Sequence, residues 1–127
     1  MSDTLEAEDL PQTLRNCLAA LDDRKAIDVV ILDVRNRSTI TDYLVIASGT
    51  SDPHVRALLN TATRQLKEDR AGTILVDFEP EAGWGVVDAV DFMVHVFEPA
   101  QRAHFQLESL WGDAPRAPIG EVMETDV

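Results

Sequence analysis

The stretch VIASGTSDPH, residues 45–54, ends an apolar run in Gly49, Thr50 and Ser51 just before residues of helical spacing. Asp77 and Glu79 follow on a later apolar run, and at strand spacing i and i+2 they share one face. Together these residues imitate a nucleotidyl-transfer site, in which a Gly-Ser turn holds phosphates and an acid-x-acid pair holds magnesium. Three features count against that chemistry. The acid pair comes a full helix later than the motif places it, which puts it on a different strand. No lysine follows Gly49 to neutralise a triphosphate, as a P-loop requires. Asp52 stands at the helix N-terminus, where its own carboxylate would occupy the anion site. A plain handover from strand to helix accounts for every residue: Gly49 permits the turn, Ser51 or Asp52 caps, and Pro53 suits the first helical turn.

Other reactive residues have weaker settings. Ser51 lacks the G-x-S-x-G elbow, and no Cys–His pair has a recognisable context. His104 and Glu108 stand at i and i+4 of a helical segment, a spacing that can bind metal, but no HExxH or cysteine-rich pattern accompanies them. His95 lies between Met93 and Phe97 on one strand face, which suits a hydrogen-bonded structural histidine. No catalytic residue, metal ligand or cofactor site is therefore expected. The feature that stands out is DFEPEAGWGVVDAVD, residues 77–91, where Asp77, Glu79, Glu81, Asp88 and Asp91 surround Trp84 without a single base. An aromatic anchor ringed by acids is what a basic protein partner selects. The competing role for Trp84 is structural, a strand-start tryptophan tucked under a loop.

The elements that position these residues follow from hydrophobic period. Leu10, Leu14, Cys17, Leu18 and Leu21 form a helical stripe, with Asp9 placed to cap it and Cys17 a small core residue. IDVVILDV (27–34) and YLVIAS (43–48) are β-branched runs too continuous to be half-exposed, hence interior strands of a covered sheet. From Pro53 to Arg70 the stripe Val55, Leu58, Leu59, Ala62, Leu66 is helical again, with Gly72 placed to stop it. TILVDF (73–78), WGVVDA (84–89) and DFMVHVF (91–97) predict three more strands, and Pro99 opens a last helix through Trp111, closed at Gly112. The order αββαβββα predicts an α/β domain, helices packed on a five-stranded mixed sheet.

The chain of 127 residues is the size of one domain. Its 45% hydrophobic and 27% charged residues suit a water-soluble globular fold, and no apolar run is long enough for a membrane span. The acidic start MSDTLEAEDL is unlike a targeting signal, and the lone Cys17 points away from an oxidising compartment. A cytoplasmic protein is expected. The net charge of −12 and pI near 4.4 repel phosphate backbones and favour basic partners, so little direct nucleic-acid contact is expected. Eight of the acids, against Arg116 alone, lie outside residues 10–112. Residues 1–8 and 113–127 thus read as acidic disordered tails around a single domain at 9–112.

The motifs DVVILDV (28–34), TDYLVIASGTSD (41–52), Gly83-Trp84 before a strand, VHVF (94–97) and LESLW (107–111), in that order, resemble the ribosomal silencing factor, or Iojap, family. The resemblance implies a fold related to nucleotidyltransferases that has lost catalysis. It also implies binding to the large ribosomal subunit through ribosomal protein uL14, a steric block to joining of the small subunit, and repression of translation when nutrients are scarce. Homodimers in solution are implied too. Trp84, Asp88 and Asp91 match the family's Trp…Asp…Asp segment, and Phe105 and Glu108 match its last helix. Three positions depart from the family pattern. Pro53 stands where arginine is usual, Val90 where glycine is common between the two acids, and Phe105 where tyrosine is common. The alternative function is a nucleotide-handling enzyme of the same ancestral fold using Asp77 and Glu79.

Overall fold

Leucines at helical spacing build the first element: Leu14, Cys17, Leu18 and Leu21 are fully buried along α1 (Gln12–Asp23). At about 2 kcal/mol per buried leucine, this stripe rather than intrinsic propensity holds the helix in place. The computed structural model describes residues 10–35, 41–106 and 116–117. The remaining elements are β1 (Ile27–Asp33), β2 (Tyr43–Ser48), α2 (Asp52–Glu68), β3 (Leu75–Glu79), a 3₁₀ turn (Pro80–Ala82), β4 (Trp84–Asp88), β5 (Phe92–Phe97), α3 (Pro99–Phe105) and β6 (Arg116–Ala117). This is the expected order αββαβββα, with one short strand added. Arg116 and Ala117, within the 113–127 segment set outside the domain on sequence grounds, pair with Leu32 and Ile31.

The sheet order is β3-β4-β5-β2-β1-β6. β2 and β5 pair in parallel, from Tyr43↔Phe92 to Ser48↔Phe97, and the other pairs are antiparallel. The mixed sheet is thus as expected, and its two central strands are its most continuously buried ones. All six residues of β2 are buried. β1 is only half covered at its start, where Asp28 has φ 50° and the register with β2 shifts between Ile27 and Val30.

α1 and α2 cover one face of the sheet. Val55, Leu58, Leu59, Ala62 and Leu66 of α2 pack with the α1 stripe onto Ile31, Tyr43, Val45, Val87, Phe92, Val94 and Val96. The alternate residues of the same strands form a second cluster on the opposite face: Leu32, Val34, Leu44, Ile46 and Phe97, with Val30, Trp84 and Met93 against it. Gly85 is required on the α2 side of β4. A Cβ there would run into Leu59 Cδ1 and lie 3.0 Å from Phe78 Cδ2.

Helix ends differ from the sequence reading in instructive ways. α1 starts after Pro11, which occupies the N-cap with no side-chain cap, so Asp9, itself outside the described residues, does not hold that place. α2 stops before Gly72. Arg70 takes φ 55°, and Ala71 N–H donates to Leu66 O while Arg70 N–H donates to Lys67 O, a Schellman motif. Lys25, at φ 64°, ends α1 with the same pair of bonds to Leu21 and Asp22. α3 is shorter than expected: Gln106 enters the left-handed region at φ 49°, so the helix ends at Phe105. Residues 107–112, including Glu108, Trp111 and Gly112, lie outside the described residues.

Candidate partner-binding site

The segment that hands β2 over to α2 is occupied by its own side chains. Ser51 Oγ accepts from His54 N–H at 3.3 Å, which makes Ser51 the cap. Asp52 holds Arg56 at 3.0 Å. His54 Nδ1 accepts from Thr50 N–H at 2.9 Å, so the ring carries its proton on Nε2 and donates to Arg24 O, also at 2.9 Å. Gly49 allows the close approach of strand and helix, since a Cβ there would lie 3.0 Å from Val55 N. The positive end of α2 is filled by a carboxylate, a hydroxyl and an imidazole that belong to the chain.

Asp77 and Glu79 do share a face, opposite Val86 and Trp84. They are nevertheless remote from the Gly49–Ser51 turn. The pairs Glu79↔Trp84, Trp84↔Phe97 and Phe97↔Ser48 form one row across four strands, which separates Glu79 from Ser48 by about 14 Å. The indole and the Phe97 ring fill the interval. Among the described residues no group of three His, Cys, Asp or Glu side chains converges as metal ligands would. Burial pushes the Cys17 thiol up to about 12, with Asp69 adding to the shift, and it stays protonated in the core.

Trp84 opens β4 on the face away from α1 and α2. Its ring stacks on His95 and on Phe97 with centroids 5.9 Å apart in both cases and planes within 5° and 7°. The indole Nε1–H donates to His95 Nδ1 at 3.2 Å. Trp84 is thus packed against a cross-strand aromatic ladder, and neighbouring glycines do not leave it bare; its outer part remains accessible. His95 is 7% exposed, and burial lowers its pKa to about 4, partly opposed by the charge of Asp88. It is the hydrogen-bonded histidine that its position between Met93 and Phe97 suggested.

Asp88 closes β4 about 13 Å along the strand from Trp84. Its Oδ1 accepts from Val90 N–H at 2.9 Å, and the turn is locked by Asp91 N–H to Ala89 O and by Ala89 N–H to Phe92 O. Asp91 O accepts from Asp42 N–H, tying the turn to the start of β2. The two aspartates are therefore brought together in one turn, while Trp84 sits at the other end of β4 beside the start of α3, where Glu98 N–H donates to Gly83 O. Phe105 is the last residue of α3. Glu108 lies outside the described residues. Two apolar residues missed as part of this surface, Leu75 and Val90, are 63% and 59% exposed, Leu75 directly opposite Asp88. The alternation of LVDFE carried the signal for Leu75: it shares a face with Asp77 and Glu79, which cannot be core.

On this face of β3 and β4 the apolar Leu75 and Trp84 stand at opposite ends with Asp77, Glu79 and Asp88 between and beside them, and the turn beyond Asp88 adds the exposed Val90 and Asp91. This surface offers no nucleophile activated by a base and no cradle for phosphate. It suits contact with a basic protein.

Comparison with known proteins agrees with the ordered motifs. The family described as "Ribosomal silencing factor during starvation" matches residues 7–126. Ribosomal silencing factor RsfS of Bacillus subtilis is 38% identical over 106 residues, covering 84% of this chain and 90% of the relative. Its counterpart in Halalkalibacterium halodurans is 33% identical over 112 residues, covering 88% and 96%. A solved protein of Chromobacterium violaceum superposes with a TM-score of 0.76 at 30% identity, covering 85% of this chain and 88% of that one. With a family match over residues 7–126 and relatives 33–38% identical across most of both chains, the chain belongs to the ribosomal silencing factor family.

Proposed function

We propose that this protein binds the large ribosomal subunit through ribosomal protein uL14 and sterically blocks joining of the small subunit, repressing translation when nutrients are scarce. The observation that carries the reading is the face of β3 and β4, where Leu75, Trp84 and Val90 stand among Asp77, Glu79, Asp88 and Asp91 without a base. Family membership supports the ribosomal setting. The protein acts by occupancy and not by turnover: the Gly49–Ser51 turn is filled by Asp52 and His54, and the aromatic row separates it from the acid pair. It works as a cytoplasmic factor and forms homodimers in solution. Among the described residues no helix is long and apolar enough to cross a membrane.

Sucrose-gradient sedimentation tests the function. Purified protein is expected to co-sediment with isolated large subunits and to lower the yield of 70S particles from mixed subunits without added nucleotide. An unchanged 70S yield at saturating protein would overturn it.

A further inference from the structure

β3 ends the sheet order, so among the described residues its outer edge is unpaired. Edge strands turn alternate N–H and C=O groups outward, and natural edges are blunted by lysine, proline, bulges or a covering element. Within Leu75–Glu79, LVDFE, there is no lysine and no proline, and the register with β4 is unbroken from Leu75↔Asp88 to Glu79↔Trp84. Leu75 and Val76 are both exposed.

The two faces beside this edge differ in chemistry. On the α2 side, Arg56, Leu59, Asn60, Val76 and Phe78 line an open cavity of about 130 Å³. The Arg56 guanidinium there lies 4.6 Å from the centre of the Phe78 ring and 3.0 Å from Asp52, so its charge is already engaged. On the opposite side stand the exposed carboxylates of Asp77 and Glu79, with Glu81 just beyond the strand.

We propose that the free edge of β3 accepts an extended segment of a basic protein as an added strand. Apolar side chains of that segment enter the cavity on the α2 side, and alternate lysine or arginine side chains face Asp77 and Glu79. The period of two is imposed by strand geometry: side chains that straddle an added strand must alternate between the faces. Main-chain hydrogen bonds supply affinity in this mode, and the alternation supplies selectivity. A second copy of this chain is a poor occupant. Pairing β3 with itself sets one acidic strand against another, like charges across a strand pair are destabilising, and the whole chain carries −12. The inference rests on the reading of this face as a surface for a basic protein and assigns it a docking mode.

Fluorescence anisotropy with labelled synthetic peptides tests it without ribosomes, so its outcome is independent of the subunit-joining assay. The probe is a peptide of alternating lysine and valine. Its controls are a peptide of the same composition with lysines and valines in separate blocks, and the alternating peptide N-methylated at every second amide. Wild-type protein is expected to bind the alternating peptide at least tenfold more tightly than either control. The Asp77→Lys/Glu79→Lys double variant should lose at least tenfold, and Val76→Lys should weaken binding with the circular dichroism spectrum unchanged. Equal affinity for the alternating and blocked peptides would leave only unspecific charge attraction and overturn the proposal, as would full affinity in the double variant. A dimer in sedimentation velocity that Val76→Lys dissociates, with no binding of the alternating peptide by the wild type, would put a second copy on the edge and overturn it as well.

Discussion

Val90 holds φ 71° at the tip of the turn between β4 and β5, a conformation that costs a β-branched residue about 1–2 kcal/mol and glycine almost nothing. The turn persists because Asp88 Oδ1 and the bonds of Ala89 and Asp91 over-determine it. Val90→Gly is therefore expected to raise the unfolding free energy by about 1 kcal/mol in urea denaturation, less the extra chain entropy that glycine gives the unfolded state. Glycine would also remove an exposed side chain from the proposed partner surface. His95 makes a second prediction. Its folded pKa, lowered to about 4 by burial, lies below the 6.5 of a free imidazole, so the unfolded chain takes up the proton first as pH falls. The stabilisation is complete above pH 6.5 and is lost as pH drops toward 4, by about 3 kcal/mol in total. Protonation also places a proton on Nδ1, where Trp84 Nε1–H already points. Stability measured across pH 4–6.5 should fall more steeply in the wild type than in His95→Phe. A parallel decline in the two proteins would show that other groups set the acid limb.

The elements were legible to different degrees. Both helical stripes and all five long strands follow from hydrophobic period, and the buried residues of α2 are those that the stripe Val55, Leu58, Leu59, Ala62, Leu66 picks out. Helix ends were less legible, because Lys25 and Arg70 take the left-handed positions that glycine usually marks, and nothing in local propensity announces it. Strand faces were legible only after register was known. Trp84 in sequence stands between two glycines, whereas in the sheet its neighbours are His95 and Phe97, brought there by β5. How the proposed site residues lie relative to one another was legible only in part. Asp88 and Asp91 are close in sequence and share one turn, and the distance from Trp84 to Asp88 is the length of β4, but the adjacency of Leu75 depends on pairing of β3 with β4. Gly85 is where two elements meet most tightly. Gly85→Ala would drive a methyl group against Leu59 and Phe78, and repacking of that kind costs about 1–3 kcal/mol. Thermal unfolding should show the loss, and Leu59→Val in the same chain should recover part of it by making room.

For the whole molecule the governing quantity is charge. A net −12 makes encounter with a basic partner fast at low salt and slow at high salt, since the Debye length shrinks from about 30 Å at 0.01 M to about 10 Å at 0.1 M. Asp88→Asn keeps an Oδ1 acceptor for Val90 N–H and removes the charge, so the turn should survive. Combined with Asp91→Asn, it is expected to slow association with uL14 and to flatten the salt dependence, with little change in dissociation, in surface plasmon resonance across a salt series. Trp84→Phe should do the opposite. It leaves a ring to stack on His95 and Phe97 but shortens the accessible edge, so dissociation should quicken with association unchanged. The parallel pairing of β2 with β5 sets a different constraint, on how the protein comes into being. Tyr43 must wait for Phe92, and everything between them is a helix and an antiparallel pair that the central strands frame. Such a long-range closure is slow, and it cannot begin during synthesis until β5 has left the exit tunnel. A nascent chain stalled before residue 92 holds β2 with one side unzipped and the apolar row Leu44, Ile46 uncovered on it. The sheet is thus expected to close in one late step: a partial chain lacks its centre, and the complete fold appears only once the last central strand is free.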